Sequence, residues 1–155
     1  MRSPAITSKQ ASPDPDTFAH AAWDDVRPWY EELEVRTLAA GSVAAWLADW
    51  SRLESALSEA AALAMIAYTC DTADAAKLAS HLRFSSDILP KAEELSVRLA
   101  RRFVELGVVP PGLDQVVARF RRAIEIFRES NVPLVTESAR LGSEYPQLTG
   151  GFTGR

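Results

Sequence analysis

One cysteine, Cys70, stands among 155 residues. Its solitude excludes an internal disulfide and a cysteine-built zinc site, and it fits a reducing compartment. Histidine is almost as scarce. Only His20 and His81 occur, and neither has a second His or Cys at i+3 or i+4, the spacing that sets two ligands on one helical face. No serine carries the flanking glycines of a nucleophile elbow. Gly150-Gly151 lacks the lysine that follows a phosphate-binding loop. Long apolar runs are missing as well: the most apolar one, residues 60–70, without a charge, is about half of the ~20 needed to span a bilayer. The opening MRSPAITSKQASPDPD has no apolar stretch of a secretory signal. Basic excess is absent too, since the net charge is -4, which argues against general nucleic-acid binding. A cytoplasmic protein with neither nucleic acid nor membrane as partner is the expectation.

What is present is helix-forming sequence. The 47% hydrophobic and 25% charged content suits a globular domain, and no period-two run of β-branched residues predicts a strand. Residues 1–16 hold Pro4, Pro13 and Pro15 among polar neighbours and read as a disordered leader. From there to residue 145 apolar positions recur every three or four residues, which predicts an all-α, antiparallel bundle of five or six helices. Residues 146–155 read as a flexible tail.

The long central helix is expected over Val43–Cys70, where Val43, Trp46, Trp50, Leu53, Leu57, Ala60, Ala64 and Ala67 mark one face. Ser42 is placed to cap it. Across residues 60–68 apolar side chains surround the helix, which predicts burial on several sides. Asp24 or Asp25 is a cap candidate for the preceding helix, and Asp71 and Thr72 for the following one. Pro90 either starts a new helix capped by Ser86 or Asp87 or kinks a continuous one. Gly107 marks a helix stop. Beyond the Pro-Pro-Gly turn at 110–112, Leu113, Val116, Val117, Phe120, Ile124 and Phe127 form a further stripe, and a last helix starts at Pro133.

Chemistry is thinly represented. The acidic pairs Asp24-Asp25, Glu31-Glu32 and Glu93-Glu94 point about 100° apart on a helix, as suits a solvated face rather than a catalytic pair. Ten acids face three arginines between residues 14 and 59, and eight bases face five acids between 91 and 128. Oppositely charged faces attracting across the bundle account for this more simply than an anion-binding stripe on Arg119, Arg121, Arg122 and Arg128. The stripe lacks interleaved exposed aromatics, because Phe120 and Phe127 fall on the apolar side. His81, beside Leu82, reads as an ordinary surface or packing histidine rather than a ligand. A helical enzyme using His81 with nearby acids is the least favoured reading.

Six segments say more together than composition does: AWDDVRPWYEEL, WLADWSRLESALSEA, YTCDTAD, FSSDILPKAEEL, IEIFRESNVPL and SEYPQLTGGFT. Their order and spacing, from Trp23 to Thr153, resemble the N-terminal part of oligoendopeptidase F-like zinc metallopeptidases, relatives of thimet oligopeptidase. The resemblance implies a helical domain forming part of a substrate-channel wall. Zinc and its His-Glu-x-x-His helix belong to a later part of the full-length family and are missing from this chain. No catalytic or metal residue therefore carries over, and no cofactor is expected in the chain itself. The tail YPQLTGGFTGR resembles an interior segment, as if the chain stopped before a catalytic domain. That predicts a surface awaiting a partner, with Tyr145, Leu148 and Phe152 as docking candidates. The expected partner is the catalytic domain of the same or a split protein, or a second copy. A free-standing helical interaction module is the alternative.

Overall fold

The computed structural model describes residues 12–127, together with 133–134, 136–138 and 140–142. Among them every regular element is a helix, as expected. They are α1 (Pro15–Phe18), α2 (Trp23–Val35), α3 (Val43–Cys70), α4 (Ala75–Leu82), a π-helical turn (Arg83–Ile88), α5 (Leu89–Leu106) and α6 (Asp114–Ile126). Residues 133–134, 136–138 and 140–142 are helical too, with Leu134 and Leu141 exposed.

Local chemistry explains most of the boundaries. Asp14 accepts from the Thr17 amide at 2.8 Å, so α1 begins at Pro15. Asp25 reaches back to the Ala22 amide at 2.9 Å and caps α2. Gly107, at φ +70, ends α5 in the left-handed conformation that glycine adopts without a Cβ penalty.

Two caps differ from expectation. The Ser42 hydroxyl does not cap α3; it accepts from the Ala39 amide at 3.1 Å and closes the preceding turn instead. Asp74, rather than Asp71 or Thr72, caps α4 by accepting from the amides of Ala76 and Lys77. At α3 the Ser42 hydroxyl is spent on the preceding turn and no side chain caps the helix; at α4 the aspartate immediately before the helix takes the cap.

Pro90 lies in the first turn of α5, the place expected if it starts a new helix, although neither Ser86 nor Asp87 caps that helix. The chain stays helical from 75 to 106, and the π turn lies just before the proline. Proline removes one amide donor. A turn bonded i to i+5, as in Leu89 N–H to Phe84 C=O, shifts the hydrogen-bonding frame ahead of it. The turn also buries Phe84 and Ile88. Two long helical paths thus form the body: α3, about 42 Å at ~1.5 Å per residue, and residues 75–106.

The core follows the predicted α3 stripe closely. Val43, Trp46, Trp50, Leu53, Leu57, Ala60 and Ala64 are buried, joined by Ala56 and Tyr68. At the far end the stripe drifts one position, so Tyr68 is buried and Ala67 exposed. Tyr68 stacks on the His81 ring of α4 at 5.3 Å. Burial on several sides does not hold there: Leu63, Met65 and Ile66 are 54%, 53% and 56% exposed. The described helices cover only the side carrying Ala56, Ala60, Ala64 and Tyr68.

Among the described residues one ion pair joins the acid-rich first part to the base-rich later part, in the sense the charge distribution suggested. Arg98 of α5 meets Glu34 of α2 at 2.7 Å. Arg102, also of α5, donates to the carbonyls of Leu33 and Arg36 at 2.8 and 2.5 Å. Helix α2 has no basic residue in its own last turn, so Arg102 supplies the positive charge that its C-terminal carbonyls favour.

Candidate functional site

A part-buried cluster of polar side chains surrounds Glu54, which the residue pattern alone did not single out. It sits on α3 beside the apolar stripe, four residues after Trp50. Its Oε1 accepts from Tyr30 Oη of α2 at 3.1 Å, from Trp50 Nε1 at 3.0 Å and from Ser96 Oγ of α5. One carboxylate oxygen therefore ties three helices together. No described residue donates to Oε2. Burial, and then the neighbouring Glu54 charge, raise the Tyr30 phenol far above its usual range, so it stays a protonated donor.

Glu54 lines a groove of about 510 Å³ between α3, α5 and α6. Its apolar wall includes Leu47, Trp50, Val97, Val116 and Phe120, and its charged groups are Glu54, Glu93 and Arg119. Trp50 and Phe120 stack at 4.9 Å, fixing α6 against α3, and Phe103 meets Phe120 edge-on at 5.7 Å. Burial raises the Glu93 carboxyl; the Glu54 charge adds to this and Arg119 opposes it. Glu93 and Arg119 are exposed, as the reading of solvated faces expected, and both line the groove from those exposed positions. The signal in the sequence was faint: an acid flanking the α3 stripe one turn from a tryptophan.

The described residues do not fit a zinc site. No three of His, Cys, Asp and Glu converge among them. His20 is exposed on the surface, and His81 is occupied in stacking on Tyr68, with burial lowering its basicity. Cys70 is exposed at the end of α3. None of the described helices is long and apolar enough to cross a membrane. The proposed docking residues Tyr145, Leu148 and Phe152 lie outside the described residues. A second apolar surface is described, however: Leu63, Met65 and Ile66 on the outer side of α3.

Neither the comparison with curated proteins nor that with solved structures finds a match. Residues 16–110, from α1 through α5, match the family model described as peptidase M3 N-terminal domain.

Proposed function

Because the chain belongs to the peptidase M3 N-terminal domain family, we propose that it serves as the non-catalytic helical domain of an oligopeptide-cleaving zinc metallopeptidase. In this reading it forms part of the substrate-channel wall, and another domain supplies zinc and the catalytic groups. The observation that carries the reading is the match across 16–110, which takes in the four-residue α1, both long helical paths and the core between them. A metal-dependent hydrolase needs several converging ligands and a base beside the bound water; the described part of this chain does not gather such a set.

The partner in this reading is the catalytic domain. Leu63, Met65 and Ile66 support it, since three large apolar side chains on one exposed helix end are a surface that gains by being covered. The free, exposed thiol of Cys70 agrees with a cytoplasmic setting.

The test uses the full chain, metal analysis and a quenched fluorogenic oligopeptide. Alone, the chain retains no stoichiometric zinc and cleaves nothing. Mixed with the catalytic part of an M3 peptidase that lacks its own N-terminal domain, it binds and raises hydrolysis. One equivalent of retained zinc, with chelator-sensitive cleavage by the chain alone, would overturn the proposal. Tight self-association without binding to the catalytic part would also count against it, and would favour the free-standing module.

A further inference from the structure

The groove beside Glu54 has a chemistry that neither the core nor the family assignment accounts for. Its third wall, α6 (Asp114–Ile126), lies beyond the matched residues 16–110. At about 510 Å³ it falls within the roughly 300–1,000 Å³ of small-molecule sites. Its lining combines hydrocarbon and indole, from Leu47, Trp50, Val97 and Phe120, with two carboxylates, Glu54 and Glu93, and one guanidinium, Arg119.

We propose that this groove binds an organic ammonium carried on an apolar body, with Glu54 and Glu93 receiving the ammonium and Trp50 and Phe120 the hydrocarbon. Three physical points lead there. Glu54 spends Oε1 on Tyr30, Trp50 and Ser96, so its carboxylate is held in place before any ligand arrives, while Oε2 keeps its accepting capacity. An ammonium brings three donors and a positive charge to two acids that repel each other, a repulsion that helps to keep the Glu93 carboxyl raised and that Arg119 only partly offsets. Trp50, buried and stacked on Phe120, gives the groove a fixed apolar wall for the hydrocarbon body.

Other ligand classes fit less well. An anion would meet two carboxylates and one arginine. A bare metal ion would lack a converging set of three ligands among the described residues. A neutral apolar molecule would strip water from both acids without replacing it. The proposal is independent of the peptidase reading, because it rests on the groove's own walls.

The experiment follows the indole N–H resonances of the full chain, Trp50 above all, during titration with three probes. These are phenylalanine amide, N-acetyl-phenylalanine amide and N-acetyl-lysine amide. Phenylalanine amide is expected to saturate and shift the Trp50 signal, with the acetylated form at least tenfold weaker. Tighter binding of phenylalanine amide than of the lysine derivative assigns a peptide N-terminus. The reverse order assigns a lysine side chain, and both orders uphold the ammonium. Glu93→Gln, at an exposed position, should weaken binding at least fivefold. Ala123→Phe, which fills the groove from α6, should abolish it while leaving the helical circular dichroism unchanged. Equal binding of the acetylated and free amines, no binding of either amine, or indifference to Glu93→Gln would overturn the proposal.

Discussion

Replacing Glu54 by alanine tests whether the three-helix junction has the energetic weight its geometry implies. The wild-type Oε1 accepts from Tyr30, Trp50 and Ser96. Truncation leaves all three donors without their acceptor. A buried donor stripped of its partner costs roughly 1 to 3 kcal/mol. The groove admits water beside Glu54, so the low end applies, and three donors at about 1 kcal/mol each give about 3 kcal/mol. Glu54→Gln keeps an oxygen acceptor and should lose only about 1 kcal/mol. Urea unfolding followed by far-ultraviolet circular dichroism is the right assay, because Trp50 fluorescence would respond to the substitution itself. A double-mutant cycle with Tyr30→Phe isolates the hydroxyl: shared partners should couple by about 0.5 kcal/mol or more. If Glu54→Ala unfolds within about 0.5 kcal/mol of wild type, or the cycle is additive, the junction is not a stabilising unit and the argument fails.

Three further outcomes follow from the same packing. Leu57, 1% exposed within the α3 core, should cost about 2 to 5 kcal/mol when cut to alanine, and an unchanged unfolding midpoint would contradict the packing described. Tyr30 binds its proton more tightly folded than unfolded. Its contribution is therefore intact below the unfolded tyrosine value of about 10 and declines above it, by about 1.4 kcal/mol per pH unit. Stability measured from pH 9 to 11 should fall less steeply in Tyr30→Phe than in wild type, and parallel slopes would refute the assignment. Finally, Leu63→Ser with Ile66→Ser removes exposed apolar area on α3 and should weaken association with a partner or a second copy while leaving the helical content intact; unchanged association by light scattering would move the contact surface elsewhere.

Much of the architecture was readable in one dimension because helix periodicity is a local property. The stepping from Val43 to Ala64 named nearly every buried position of α3, since a 3.6-residue repeat needs only the chain itself to define a face. Gly107 and Asp25 likewise act within their own turns. Where several local options were equally good, as at Ser42 and around Asp71–Asp74, the pattern could not choose.

The family was legible for the same reason, in short ordered segments that the matched range 16–110 largely contains. The groove was not. Tyr30, Glu54 and Ser96 are 24 and 42 residues apart in sequence along that chain of contacts, and Arg119 and Phe120 come from a later helix. Which acid faces water and which accepts three donors depends on how α2, α3, α5 and α6 stack, and no local rule encodes that. The apolar end of α3 makes the same point in reverse. Its composition predicted cover all round, yet the number of neighbouring helices leaves Leu63, Met65 and Ile66 in solvent. Sequence alone determined that this chain is helical, which face of each helix is apolar, and which family it resembles. Tertiary packing alone decided which polar groups meet in the groove, and which apolar groups remain uncovered, because both depend on contacts between helices distant along the chain.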